Sequence, residues 1–326
     1  MAELKPLLRP LAIPLNAAIS VVAPASFASP DRVEHGLERL RAQGYSPALA
    51  PHALERGPLY FAGEHEHRLT DLHAAFADQN TRIVAALRGG YGSNYLHAAL
   101  DLELIRRNPK PFFAYSDLTG IQLRLLDQLN LPTFHGPMVA ADFAVDDGVH
   151  LPSFHASLAG EPYCVGAREG LRVLKSGSAE GVLYGGCLSI LVSLLGTPYE
   201  PATEGKLLFL EDVGEKPYQI DRMLWQLRMA GKLANVRGII FGEMLRCRPA
   251  PHSQNPHQNS QQQTDAKDLL ERAILSALDG FDGPIAIGLR SGHVSRANVT
   301  LTLGVEARLV ANEVPVLEML EPAVQH

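Results

Sequence analysis

Three residues in this chain join acid–base or nucleophilic chemistry to the end of an apolar strand: Ser116, Glu211 and His293. Ser116 closes the run Phe112-Phe113-Ala114-Tyr115. The next residues, Asp117-Leu118-Thr119-Gly120, open a helical pattern in which Leu118, Ile121, Leu125 and Leu129 recur at three- and four-residue spacing. A hydroxyl on such a corner has two readings. Ser and Asp are ordinary helix N-caps, because their side-chain oxygens accept the orphan amide protons of the first turn. A serine on a strand-to-helix turn can equally be a nucleophile, held above the sheet beside helix N-terminal amides that bind an oxyanion. Glu211 and Asp212 end the strand in LFLEDVGEKPYQIDRML, where a carboxylate either orients a histidine and stabilises its imidazolium or is a solvated strand end. His293 follows Gly292 in a short loop between two strands and has the most constrained setting of the 13 histidines, although a lone loop histidine is usually a surface residue. The order Ser, Glu, His is that of α/β-hydrolases. Their GxSxG signature is absent, since the frame here is Ala114-Tyr115-Ser116-Asp117-Leu118.

RGGYGS, Arg88 to Ser93, also ends a strand. Its glycines let backbone approach a ligand closely or let amides converge on an anion, and the competing reading is a plain glycine turn. As a dinucleotide fingerprint it lacks the third glycine, and a P-loop is excluded by the missing Gly-Lys-Ser/Thr. GEHEHR places His65 and His67 two residues apart, which does not match a helical HExxH zinc site.

Alternating elements must position these residues. Ala18 to Ala23 reads as a strand, Pro30 to Gln43 as a helix burying Val33, Leu37 and Leu40, Arg82 to Leu87 as a strand, Tyr95 to Ile105 as a helix and Pro111 to Tyr115 as a strand. Such alternation predicts a mostly parallel, helix-covered sheet whose ligand lies at the carboxyl ends of the strands. From Gly181 short strands dominate (KLLFLEDV, GIIFGEM, PIAIGL, NVTLTLG, EARLVA), with one strong helix at Gln219 to Ala230. The predicted fold is therefore α/β: an N-terminal domain, 1–140, carrying Ser116, a linker, 141–180, and a strand-rich α+β C-terminal domain, 181–326, carrying Glu211 and His293. The stretch 247–267, rich in Gln, Asn, Pro and Ser, reads as a mobile surface loop.

Bulk properties agree with two domains, since single cores rarely grow beyond roughly 250–300 residues and this chain has 326. A net charge of −6 argues against a nucleic-acid partner. Three widely spaced cysteines without a CxxC suggest neither a disulfide framework nor a zinc knuckle. The apolar run from Leu11 to Ala25 is broken by Pro14, Asn16, Ser20 and Pro24, too short and too interrupted for a membrane span. Lys5 and Arg9 precede it as in a signal peptide, but AISVVAPAS reads better as a first buried strand, and a cytoplasmic location is expected.

Taken in order, RGGYGS, YSDLTG, HGPM, GGCLSILVSLLGTPY, LEDVGEKPYQIDRML and GHVSRANVTLTLG resemble the LD-carboxypeptidases, serine peptidases that also include the microcin C self-immunity peptidases. The resemblance runs from about Ile19 to Leu317. It implies a triad of Ser116, Glu211 and His293, with the amides of Gly90 and Asp117 as oxyanion hole. It further implies a homodimer, no cofactor or metal, and release of the terminal D-alanine from murein tetrapeptides in cytoplasmic cell-wall recycling. The alternative within the family is a peptidase of the microcin-immunity type acting on aminoacyl-nucleotide or peptide conjugates. Outside it, a non-enzymatic module would use RGGYGS to hold a ligand and leave Ser116 as an N-cap. The chain departs from the family pattern at Gly185-Gly186-Cys187, where Gly-Gly-Asn is expected, and at Ala114, where Gly is usual. A carboxypeptidase must recognise a free carboxylate, and Arg88, Arg222 and Arg290 are the candidates.

Overall fold

A computed structural model describes residues 6–249 and 260–326, with side chains in the second segment from 268 onward. Its first half runs β1 (Ala18–Val22), α1 (Pro30–Ala42), β2 (Ser46–Leu49), α2 (His65–Ala77), β3 (Thr81–Ala86), α3 (Leu102–Arg107), β4 (Phe112–Ala114), α4 (Thr119–Leu129) and β5 (Thr133–His135). Then follow α5 (Leu151–Ala159), β6 (Cys164–Gly166), β7 (Arg172–Lys175), β8 (Gly177–Cys187), α6 (Leu188–Ser193), β9 (Leu207–Glu211), α7 (Pro217–Met229) and β10 (Gly238–Gly242). The chain closes with α8 (Ser260–Ala277), β11 (Ile285–Leu289), β12 (Leu301–Leu303), β13 (Glu306–Ala311) and β14 (Val316–Met319).

These strands form two sheets, ordered β12-β5-β4-β3-β1-β2 and β6-β14-β13-β8-β9-β10-β11-β7. The fold is mixed α/β, with a parallel-rich N-terminal sheet and a strand-rich C-terminal one. Every neighbour pair from β5 to β2 is parallel. In the second sheet β8 to β11 are parallel and the flanking strands antiparallel. The central strands of both sheets are continuous apolar runs, as burial on two faces requires; Phe112, Leu208, Phe209 and Ile240 have no exposed surface. Parallel pairing aligns the carboxyl ends of β3 and β4 in the first sheet and those of β8 and β9 in the second, and Thr119 after the first pair meets Gly186 and Cys187 at the end of the second.

Local sequence accounts for most boundaries. α1 has Pro30 in its first turn, Asp31 near its amino end and Arg39 and Arg41 near its carboxyl end, each favoured by the helix dipole, and it buries Val33, Leu37 and Leu40. The helix expected from Tyr95 to Ile105 is divided: a 3₁₀ segment, Ser93–Ala99, ends before Asp101, whose carboxylate accepts the Leu104 amide at 2.9 Å and starts α3 afresh. Segment 141–180, expected as a linker, carries α5, β6, β7 and the start of β8, and those three strands belong to the second sheet. Part of the stretch expected as a loop is helical, because α8 begins at Ser260; residues 250–259 lie outside those described. Gln, Ala and Lys are good helix formers, and among the residues of α8 with described side chains Leu270 and Ile274 are buried, on a helix that packs against α7. Composition alone therefore hid the first turns of this helix.

Contacts between the halves include a strand pairing and a buried hydrogen bond. β12 comes from the C-terminal part of the sequence yet pairs antiparallel with β5 in the first sheet. Thr119, fully buried at the start of α4, accepts the Cys187 amide at the end of β8 at 3.1 Å. Thr119→Val keeps the shape and removes the acceptor, leaving a buried N–H unpaired, so a loss of about 1–3 kcal/mol is expected in the urea unfolding free energy.

Candidate active site

The side chain of Ser116 is not a helix cap. Ser116 begins a 3₁₀ turn, Ser116–Leu118, before α4, and neither helix start has a side-chain cap bond. Its φ of 64° is left-handed, a conformation that costs a residue bearing a Cβ about 1–2 kcal/mol. Such strain on a strand-to-helix corner turns the hydroxyl away from the helix and toward the space above the sheet. Gly89 makes room for it: a Cβ there would lie 2.7 Å from Ser116 Cβ. The Asp117 carboxylate accepts the Ser93 amide at 2.8 Å, tying the Ser116 corner to the RGGYGS turn. Burial raises the pKa of Asp117, and the hydrogen bonds from Ser93 work against that rise.

His293 reaches the same place from the second sheet. Glu211, at the end of β9 and without exposed surface, accepts the His293 backbone amide at 3.0 Å and contacts His293 Nδ1 at 2.8 Å through the same oxygen, Oε2. Its other oxygen faces His135 Nε2 at 3.8 Å. Burial opposes ionisation of Glu211, but the charge of His293 and the contacts from both histidines outweigh it and hold the carboxyl below its ordinary range. For His293 the balance is the mirror image. Burial lowers its pKa, the charge and hydrogen bond of Glu211 together with the charges of Asp212 and Asp142 raise it by more, and the net shift is upward. With Nδ1 engaged by a carboxylate, Nε2 is the nitrogen left to exchange a proton.

Ser116 and His293 line one cleft of about 290 Å³ together with Ala28, Arg32, Arg88, Gly90 and Tyr115. Among the described residues no hydrogen bond joins Ser116 to His293, a contact that in such sites commonly tightens only when substrate fills the cleft. Gly90 has a φ of 113° and presents its backbone to the cleft, while the Asp117 amide is one of the orphan donors of its 3₁₀ turn. Of the three arginines expected to meet a carboxylate, only Arg88 lines the cleft. Arg290 instead donates to the Arg168 carbonyl at 2.7 Å, and Arg222 lies over the Tyr218 ring on α7.

Profiles of the two LD-carboxypeptidase domains match this chain, the N-terminal one over residues 19–136 and the C-terminal one over residues 180–309. The chain belongs to the LD-carboxypeptidase family. A Bacillus subtilis protein named a probable murein peptide carboxypeptidase is 36% identical over 315 residues, 95% of this chain and 94% of that one. A murein tetrapeptide carboxypeptidase of Pseudomonas aeruginosa is 32% identical over 293 residues, 86% and 89% of the two chains. Among solved structures, an MccF-like protein from Bacillus anthracis superposes with a TM-score of 0.84 at 25% identity, covering 96% of this chain and 99% of its own. This LD-carboxypeptidase family member is a peptidase. No helix among its described residues is long and apolar enough to cross a membrane.

The cleft of this family member also contains residues that motif reading passed over. Arg32, on the first turns of α1, lines it while donating from Nε and Nη2 to the carbonyls of Ala140 and Ala141 at 2.7 and 2.8 Å. Its signal was positional, since α1 starts at the carboxyl-end side of β1. Asn298 accepts the Gly292 amide at 3.0 Å and donates to the Gly292 carbonyl at 3.1 Å, clamping the residue before His293. Asp142, pushed up to about 6 by burial despite bonds from Met138, Asn298 and Tyr115, braces Asn298 in turn. No sequence spacing announces this chain of contacts, because its members come from three separate segments. The electrostatics predict one outcome directly: in Glu211→Gln the largest charge that raises His293 is gone while burial persists and only Asp212 and Asp142 still raise it, so His293 should titrate at lower pH than in the parent. An NMR titration of the His293 ring protons in both proteins measures the fall.

Proposed function

We propose that this chain is a serine carboxypeptidase that cuts the L,D-peptide bond releasing the terminal D-alanine of murein tetrapeptides. The observation that carries the proposal is the strained Ser116 corner sharing one cleft with an imidazole whose Nδ1 is gripped by a buried carboxylate. In this reading His293 Nε2 takes the Ser116 proton as Oγ attacks the scissile carbonyl. The Glu211 charge stabilises the resulting imidazolium and fixes its tautomer. Amides of Gly90 and Asp117 hold the oxyanion, each worth roughly 3–4 kcal/mol in comparable sites. Collapse of the tetrahedral intermediate breaks the C–N bond, and His293 returns its proton to the departing amine. Water then repeats the sequence on the acyl-serine and frees the tripeptide. Arg88 and Arg32 are the cleft's cations for the substrate's terminal carboxylate. A place in cytoplasmic wall recycling, with the chain as a homodimer and with neither nucleic acid nor membrane as partner, belongs to the same reading.

The name of the Pseudomonas relative supports the murein substrate. A second reading has an aminoacyl-nucleotide conjugate as substrate, favoured by the likeness to an MccF-like protein, MccF being a microcin C7 self-immunity protein. The half-exposed rings of Tyr60, Tyr91 and Tyr95 beside the Gly90 turn offer flat surfaces of the kind on which a base stacks. Mass analysis of products from a defined murein tetrapeptide and from an aminoacyl-nucleotide conjugate separates the two.

Ser116→Ala should lower hydrolysis by roughly 10³-fold or more, with a melting temperature close to the parent's because the hydroxyl caps no helix. Turnover near the parent rate would remove the serine mechanism. With the parent enzyme, kcat/KM should fall on the acid side with an apparent pKa above about 6.5, since His293 must be neutral to accept a proton and its partner carboxylate holds it protonated to higher pH. A tetrapeptide ending in L-alanine should be cut roughly tenfold more slowly than its D epimer, a difference of about 1.4 kcal/mol in the transition state. Equal rates in a competition assay would leave a peptidase without the LD assignment.

A further inference from the structure

Some distance along the sequence from the triad candidates, the turn after β2 faces the first turn of α2. His52 and Glu55 come from the turn, and His67 and Asp71 lie one helical turn apart on α2. None of the four lines the cleft. The buried Asp71 carboxylate accepts the His52 backbone amide at 2.9 Å and contacts His52 Nδ1 at 2.8 Å. Glu211 grips His293 in the same double fashion, so the molecule contains a second imidazole with a fixed tautomer and a free Nε2. The His67 ring stacks on that of His52, with centroids 4.3 Å apart, and its Nδ1 meets Glu55 Oε2 at 2.7 Å.

We propose that His52, Glu55 and His67 bind one divalent transition-metal ion of the zinc class, with Asp71 as the outer partner of His52. One ligand atom from each of the three lies within 4.8 Å of the other two. Around tetrahedral zinc, with bonds of about 2.0–2.1 Å, ligand atoms are about 3.3 Å apart, so metal binding requires the stacked rings to turn toward one point and draw the three atoms together by up to about 1.5 Å. Two imidazoles and a carboxylate are a donor set that suits zinc and its neighbours and does not suit magnesium or calcium, which prefer all-oxygen surroundings. Carboxylate–histidine–metal relays with this geometry raise the basicity of the ligating nitrogen and hold its ring in place. The three ligands are half-buried, which leaves the fourth position to water. His65, the other histidine of GEHEHR, does not take part. It stacks on Tyr95 and contacts Arg68.

A bound ion would have a structural consequence for the cleft. Arg68, next to His67 and almost fully buried, donates to the carbonyls of Pro24 and Gly92 at 2.7 and 2.9 Å, bracing the turn that contains Gly90. Metal between the turn after β2 and the start of α2 would fix the base from which Arg68 reaches.

Isothermal titration of chelator-stripped, full-length protein with zinc chloride tests the site. One site of micromolar or tighter affinity is expected, together with a zinc-dependent rise in melting temperature. His52→Ala and His67→Ala should each weaken zinc at least tenfold, and Asp71→Asn by roughly 10- to 100-fold. His293→Ala should bind zinc as the parent does, which distinguishes this site from the His293–Glu211 pair. Circular dichroism confirms that each variant is folded. Absence of zinc binding by the parent, its survival in a folded His52→Ala/His67→Ala double variant, or its loss in His293→Ala would each overturn the proposal.

Discussion

A carboxylate with no exposed surface sits between two histidines at the junction of the two halves, and the rest of the site is arranged around it. Stripping Glu211 of water would cost several kcal/mol if its charge were left unpaired. The cost is offset by the His293 amide and imidazole on one oxygen and by His135 on the other side. Those partners arrive on different elements: His135 ends β5 of the first sheet, and His293 lies in the loop between β11 and β12. A single ionised group thus makes the position of each sheet's end conditional on the other's. The backbone beside His293 is fitted to the same group, since a Cβ on Gly292 would fall 2.6 Å from Glu211 Cδ and the residue has a φ of 89°.

Around that junction, the two sheets contribute unlike parts. The parallel first sheet supplies the corner at Ser116 and the glycine turn at Gly89 and Gly90, both at carboxyl ends of strands where helices begin and unpaired amides collect. The second sheet supplies the carboxylate and, through a loop, the imidazole. Pairing of β12, from Leu301, with β5 fastens the far end of that loop to the first sheet, and Asn298 clamps it from within. With the loop anchored in this way, Glu211 fixes the His293 backbone through its amide and sets the direction of the ring through Nδ1.

Linear patterns were informative wherever the cause of a structure is local. Alternation of apolar strands and amphipathic helices gave the parallel first sheet, because each element must bury one face and the period of its apolar residues reveals which. Six ordered stretches gave the family, and with it Ser116 just after β4, Glu211 at the end of β9 and His293 in the loop between β11 and β12. Legibility failed in two kinds of place. One was composition: the glutamines from Ser260 onward read as a loop, although their intrinsic preference is helical and their tertiary support lies downstream. The other was cation placement, where Arg222 and Arg290 were as plausible as Arg88 until the fold turned them elsewhere.

The sequence by itself determined most of the element types that flank the site, the two-part organisation of the sheets and the identities of the residues able to do chemistry, since these follow from periodicity, turn residues and side-chain type. Only the tertiary structure decided which of those residues meet. Contacts such as Glu211 with His293, Asn298 with Gly292, Arg32 with Ala140 in the cleft, or His52 with His67 join positions separated by from six to more than a hundred residues. Their energies depend on burial and on distances of a few ångströms, quantities that no local pattern carries. The left-handed backbone of Ser116 is the plainest case: the string YSDLTG allows a capping serine, and it is packing against Gly89 and the 3₁₀ turn that makes it a cleft-lining hydroxyl instead.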